Sequence, residues 1–184
     1  MEGKLYVLSG PSGAGKGTVC KQLLKEMPEL VLSISMTTRQ PRADEEEGIS
    51  YFFVDKETFL RTKEEGGLLE CAQHFDNFYG TPRHFVVDNL GKGKNVILEI
   101  EPVGALQVKA KLPESVLIFL TVPSKEVLIE RLKGRGSETE ESIIKRMEKA
   151  EIEFNQMEKY DYVVVNDTVE NAVNQIKNII GRKN

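Results

Sequence analysis

Leu5-Tyr6-Val7-Leu8-Ser9-Gly10-Pro11-Ser12-Gly13-Ala14-Gly15-Lys16-Gly17-Thr18 decides how this sequence folds. Leu5–Leu8 is a continuous apolar run, which suits a strand buried on both faces of a parallel sheet. Ser9-Gly10 ends the run, and Gly10–Lys16 then carries the spacing G-x-x-x-x-G-K. The helix expected over about Gly17–Met27 places Cys20, Leu23, Leu24 and Met27 on one face, and Pro28 follows it. Strand, glycine-rich turn and helix in this order make a phosphate cradle. Glycines let successive N–H groups converge on an anion, and the helix N-terminus adds partial positive charge. Lys16 reaches the outer phosphates as a compact cation. The candidate triphosphate contacts are therefore Gly10, Pro11, Ser12, Gly13, Ala14, Gly15, Lys16, Gly17 and Thr18. Gly17 stands where the general signature has Ser or Thr, and Thr18 comes one residue later. Magnesium is then held mainly through phosphate oxygens and water, which suits its reluctance to dehydrate.

The same alternation continues outward. Val31–Ser35, Val96–Ile100, Val116–Leu120 and Tyr162–Val165 read as further strands. Helical stretches separate them near Val103–Lys111, Ser124–Lys133 and Ser142–Tyr160, and one over about Val169–Ile180 closes the chain. This predicts an α/β fold of three layers, a parallel core sheet with helices on both faces. Met36 to about His84 breaks the pattern. There Tyr51–Val54, a helix capped by Asp55, and a strand over Leu68–Phe75 point to an inserted subdomain with a small antiparallel or mixed sheet. Gly134–Glu141, with its glycines and mixed charge between two helices, suits a closing lid. The expected layout is one domain: core about 1–34, 84–124 and 151–184, acceptor subdomain about 35–83, and lid about 125–150.

Composition narrows the partners. With 184 residues, 40% hydrophobic and 29% charged, the chain is long enough for a sizeable core. A formal charge of −4 argues against nucleic acid as a general partner. There is no apolar window long enough for a membrane span and no signal-peptide layout, so a cytoplasmic protein is expected. Cys20 and Cys71, and His74 and His84, form no paired motif, which speaks against a disulfide scaffold or a zinc site.

A second dense segment is Ser35-Met36-Thr37-Thr38-Arg39-Gln40-Pro41-Arg42, followed by Glu45, Gly48 and Tyr51. Arg39 and Arg42, three apart, could grip one phosphate with bidentate forks, and the Tyr51 hydroxyl could add a donor. On spacing alone the loop can equally be neutralised by the acidic run Asp44–Glu47. Thr37, Thr38, Arg39, Arg42, Glu45, Gly48 and Tyr51 match the signature of guanylate kinases, the enzymes that phosphorylate GMP to GDP. The resemblance continues through Leu69–Ala72, Tyr79–Thr81, Ile97–Glu101, Arg131–Gly136, Thr139–Ser142, Arg146 and Val165–Asp167, essentially the whole chain. Gly15-Lys16-Gly17-Thr18 is also found in adenylate kinases, so the acceptor signature is the more specific of the two.

The resemblance implies transfer of the γ-phosphoryl group of ATP to GMP, and to dGMP, in purine nucleotide metabolism, with Mg2+ accompanying ATP. It implies that Arg39, Arg42, Tyr51 and Tyr79 bind the GMP phosphate and that Ser35, Glu70, Thr81 and Glu101 surround the guanine. The chemistry agrees. One carboxylate accepts both guanine N1–H and the N2 amino group, whereas adenine would present it with a bare acceptor. It further implies that Lys16, Arg39, Arg135 and Arg146 stabilise the transferred charge, with Arg131 and Arg135 reaching ATP. Arg135 and Arg146 can instead serve surface ion pairs with Glu138, Glu140 or Glu141. Asn166 and Asp167 would border the adenine or, equally, form a turn and helix cap. Glu99 and Glu101 stand where the family commonly has Asp-x-Asp, and Glu99 is a candidate outer-shell group for magnesium. Pro102-Val103 replaces a residue followed by Gln. The rival readings are a non-catalytic interaction module of the same fold and a kinase for another nucleoside monophosphate. The intact Lys16 loop speaks against the first, and Arg39–Tyr51 with Glu70 against the second. A monomer or homodimer is expected.

Overall fold

The structure, a computed structural model, describes residues 3–74, 76–134 and 140–182. In chain order the elements are β1 (Leu5–Ser9), α1 (Lys16–Glu26), β2 (Val31–Leu32), β3 (Met36–Thr37), β4 (Phe52–Phe53) and α2 (Lys56–Glu64). They continue with β5 (Leu68–His74), β6 (Asn77–Pro82), α3 (Arg83–Gly91), β7 (Val96–Glu99) and α4 (Pro102–Lys111). The last are β8 (Val116–Thr121), α5 (Lys125–Lys133), α6 (Glu140–Phe154), a 3-10 turn at Met157–Lys159, β9 (Tyr162–Val165) and α7 (Val169–Ile180).

The core is the expected parallel sheet, in the order β2-β7-β1-β8-β9. Each side of it is covered, so neither face can be polar, and this is why its strands read as unbroken apolar runs. Tyr6, Leu8, Ile97, Ile118 and Leu120 pack on Val19, Cys20 and Leu23 of α1 and on Ala172, Val173 and Ile176 of α7. The alternate residues Leu5, Val7, Val96, Leu98 and Leu117 pack on Val86 of α3 and on Ala105 and Val108 of α4. The period of two along each strand thus divides one apolar run between two helical layers.

A second sheet, β4-β3-β6-β5, is mixed: β3 and β4 run parallel, while β6 is antiparallel to both β3 and β5. Met36, Phe59 and Leu68 form its small core. Asp55 caps α2 as expected, its Oδ1 accepting the Thr58 N–H at 2.6 Å.

Several elements differ from the sequence reading. β2 ends at Leu32, though the Ser33 N–H still bonds the Ile97 carbonyl at 2.9 Å before the chain leaves for the second sheet. β6 and α3 add two elements to that reading: β6 starts at Asn77, directly after the strand expected over Leu68–Phe75, and α3 fully buries only Val86. The helix expected to reach Tyr160 stops at Phe154. There the chain turns so that Tyr160 meets Phe119 edge-on at 5.0 Å and Asp161 accepts the Leu117 N–H at 2.8 Å, which starts β9 beside β8.

Candidate active site

β1, β7 and β9 all end at one edge of the parallel sheet, the edge at which open α/β sheets bind ligands. The loop after β1 is fixed by two glycines. Gly10 has φ 147°, and a Cβ there would lie 2.1 Å from the Leu120 carbonyl oxygen. Gly15 has φ 91°, and its Cβ would lie 2.6 Å from Asn166 Nδ2. Any larger residue would therefore collide as well as strain the backbone. Ala14 N–H donates to the Pro11 carbonyl at 3.1 Å, closing the turn. The Lys16 ammonium folds back onto the loop, donating to the carbonyls of Gly10 at 2.7 Å and Pro11 at 3.1 Å. Burial pulls the Lys16 pKa down, and the carboxylates Glu99, Glu153 and Glu101 oppose that fall.

Asn166 and Arg131 brace the same loop. Asn166 Nδ2 donates to the Ala14 carbonyl at 2.8 Å. Arg131 spans Ala14 O at 3.3 Å and Asn166 O at 2.8 Å. Gly13, Gly15, Thr18, Arg131, Asn166 and Asp167 line one open pocket beside it. Asp167 combines its two readings: it lines that pocket while accepting from Thr168 N–H at 2.6 Å and Asn171 Nδ2 at 3.1 Å at the start of α7. Pro11 is buried, Ser12 is half-buried, and Gly17 and Thr18 are exposed.

The acceptor cavity, about 260 Å³, lies between the two sheets and is lined by Ser35, Tyr51, Glu70, His74, Tyr79, Glu99 and Glu101 among others. Glu70 is 5% exposed and accepts from Thr81 Oγ1 at 2.7 Å. A Cβ on Gly104 would lie 2.9 Å from Glu70 Oε2, so that glycine makes room for the carboxylate. Burial pushes the Glu70 carboxyl above its ordinary range, with the Thr81 hydroxyl and Lys111 pulling back. Such a group lacks water and gains most from a ligand that offers N–H donors.

Arg39 and Arg42 do not stand as a pair. Glu45 occupies the Arg39 fork, accepting from Nη1 at 3.0 Å and Nη2 at 2.8 Å, and also takes the Arg42 backbone N–H at 2.9 Å. Arg42 itself is exposed, and neither arginine is among the residues that line the cavity, although Arg39 touches its wall at Tyr51. The acidic run thus neutralises Arg39, and the two Glu45 oxygens sit where two phosphate oxygens would bind such a fork. The pairing raises the Arg39 pKa and lowers that of Glu45. Arg39 also lies over the Tyr51 ring at 5.5 Å, and Tyr51 meets Tyr79 at 6.1 Å, so the three expected phosphate ligands Arg39, Tyr51 and Tyr79 are contiguous. Arg146 is half-buried on α6, and Arg135 lies outside the described residues.

A family model described as guanylate kinase matches residues 2–183. The chain belongs to the guanylate kinase family. Among relatives in that family, a guanylate kinase of Caldanaerobacter subterraneus is 54% identical over 97% of this chain and 87% of its own length. One of Clostridium acetobutylicum is 51% identical over 97% of this chain and 85% of its own. The crystal structure of guanylate kinase from Anaplasma phagocytophilum superposes with a TM-score of 0.76 at 38% identity, over 97% of this chain and 85% of that one.

Guanylate kinases are ATP-using kinases, and the donor set here fits a magnesium ion that arrives with ATP. No group of three or more His, Cys, Asp or Glu residues able to hold a metal is present among the described residues. A Cβ on Gly17 would lie 3.5 Å from Glu99 Oε1, so one carboxylate overhangs the start of α1 beside the exposed Thr18. One carboxylate plus phosphates and water is a common magnesium environment. The cleft walls push the Glu99 carboxyl up and Lys16 draws it back, although the side chain still reaches solvent.

Two residues in the site escaped the sequence reading. His74 lines the acceptor cavity, and Lys149 on α6 bonds Glu101 Oε1 at 3.0 Å. His74 carried a signal: Glu70, Ala72 and His74 alternate along β5 and all face the cavity. Lys149 carried none, because its partner is 48 residues away.

Proposed function

We infer that this chain transfers the γ-phosphoryl group of ATP to GMP, giving ADP and GDP. The observation that carries the acceptor assignment is the buried Glu70, bonded to Thr81 Oγ1 and lining a cavity whose wall also includes Glu99, the residue that overhangs the start of α1. A buried carboxylate rewards a purine edge with two adjacent N–H donors and penalises one with an acceptor there, a mismatch that can discriminate by about 10⁴. In this reading Ser35 and Glu101 complete the guanine contacts. Arg39, Arg42, Tyr51 and Tyr79 take the monophosphate, Arg39 exchanging Glu45 for phosphate oxygens. dGMP is a second acceptor, because the assigned groups address the purine and the phosphate and leave the ribose free.

Phosphoryl transfer needs little covalent work from a protein; positioning and charge neutralisation suffice. The loop amides of Gly10–Thr18 and the Lys16 ammonium hold the ATP phosphates, and Arg131, Asn166 and Asp167 hold the rest of the nucleotide. Arg135 and Arg146, with Lys16 and Arg39, stabilise charge on the transferred group. The acceptor phosphate is already a nucleophile, so no general base is required. Magnesium neutralises phosphate charge when bound with ATP, and Glu99 and Thr18 would hold its water shell. Residues of about 35–83 close on the acceptor and about 125–150 on ATP, excluding water that would hydrolyse it. No helix among the described residues is long and apolar enough to cross a membrane. A cytoplasmic monomer or homodimer completes the reading.

The test is ADP release with GMP, dGMP, AMP, UMP and TMP as acceptors. GMP and dGMP should turn over far faster than the others. A preference for AMP, or no turnover with any acceptor, would overturn the assignment.

A further inference from the structure

Lys149 lies between two carboxylates, Glu101 and Glu153. Its Nζ is 3.0 and 3.1 Å from the two oxygens of Glu101, and 3.9 Å from Glu153 Oε1. Glu101 precedes α4 and lines the acceptor cavity. Glu153 is 5% exposed; burial, and beside it Glu101, push its carboxyl above the ordinary range, while Lys149, the Lys16 ammonium and the Ser12 backbone N–H of the phosphate loop draw it back. His74 approaches Glu101 from β5, with Nε2 at 3.7 Å from Oε2. One ammonium on α6 thus spans the gap between the purine-side carboxylate and the carboxylate under the loop.

The chemistry favours positioning over blockage. A carboxylate offers about four lone-pair sites, and Lys149 occupies one per oxygen, leaving others for purine N–H donors. Without the ammonium, Glu101 could rotate away from the cavity, and Glu153 would lose a counter-charge while remaining buried beside the loop.

We propose that Lys149 is a positioning residue that fixes Glu101 for the acceptor purine and, through Glu153, couples acceptor binding to the phosphate loop. The inference rests on the assignment of Glu101 to the purine. Coupling of this kind is reciprocal: whatever ATP does to GMP affinity, GMP does to ATP affinity.

The experiment is a matrix of initial rates over GMP and ATP concentrations for the full chain and for Lys149→Met, Lys149→Arg and Glu101→Gln, with thermal midpoints alongside. Both partners of the Lys149–Glu101 pair are half-exposed, so Lys149→Met should raise the GMP KM only about three- to five-fold, with kcat moving less than KM. It should also flatten the dependence of GMP KM on ATP concentration, and Lys149→Arg should restore both. If Glu101→Gln raises the GMP KM but Lys149→Met changes neither KM nor that dependence, the positioning role is wrong and the Glu101 assignment stands. If Glu101→Gln leaves the GMP KM at the wild-type value, the Glu101 assignment fails and this inference falls with it. A lowered midpoint with both KM values raised alike, unrescued by Arg, would mean a merely structural role and would also overturn the proposal.

Discussion

The phosphate loop and the acceptor cavity present their ligands with opposite kinds of surface. The loop is made of backbone. Its shape is set by Gly10 and Gly15, its amides point where the chain sends them, and Asn166 and Arg131 brace it from outside. The acceptor site is made of side chains from several elements, and some are engaged with each other: Arg39 with Glu45 beside the cavity, and Glu101 of its wall with Lys149. The donor site is therefore preorganised, whereas the acceptor site holds internal stand-ins that must be exchanged. A preorganised site costs little to fill. A site that swaps partners can reject a ligand that fails to replace what it displaces.

This contrast predicts how each region breaks. The largest effect belongs to Lys16→Ala, which removes the ammonium that folds onto the loop itself. Turnover should fall by about 10³-fold with the thermal midpoint nearly unchanged, as rate assays and calorimetry will show. Activity close to wild type would mean the loop does not need its cation. Next comes Glu70→Gln, which keeps the shape of the acceptor site and alters its chemistry. The ratio of GMP to AMP turnover should drop by about 10²-fold while the ATP KM stays put. Arg39→Ala should raise the GMP KM by about 30-fold or more, the loss of a bidentate charged contact, with a smaller change in ATP KM. An effect on ATP alone would place Arg39 on the other side of the cleft.

The smallest effect is in pH. Glu70 has its pKa raised by burial above its ordinary 4.5. Between 4.5 and that raised value the folded state binds more protons than the unfolded, so this group's contribution to stability declines as pH rises through the window. Subtracting the Glu70→Gln unfolding curve should isolate the decline. Over the same window GMP binding should strengthen with rising pH as the carboxylate forms. Opposite slopes in stability and affinity would confirm that burial stores strain that the purine relieves; parallel slopes would break the link.

The contrast also explains what the sequence could and could not tell. The loop was readable because its determinants are consecutive: an apolar strand, spaced glycines, then Lys16 opening a helix. The core strands were readable for the same reason, each being one apolar run. The residue types of the acceptor site were visible in Arg39, Glu70 and Tyr79, but their pairings were not. Local spacing cannot show that Glu45 fills the Arg39 fork and that neither Arg39 nor Arg42 lines the cavity. Nor could it show that α6 ends at Phe154, because that end is set by Tyr160 and Asp161 docking on β8, a tertiary contact that overrides the helix expected to reach Tyr160. The α3 helix buries too little apolar surface to announce itself.

The central claim is that a pocket of exchangeable side chains reads guanine through Glu70 and its phosphate through Arg39. A crystal structure of the chain with GMP and a non-hydrolysable ATP analogue tests it most directly. The account predicts the purine edge against Glu70 and Thr81, the monophosphate on Arg39, and Glu45 withdrawn from at least one guanidinium nitrogen. A monophosphate bound away from Arg39, or a purine turned from Glu70, would contradict it.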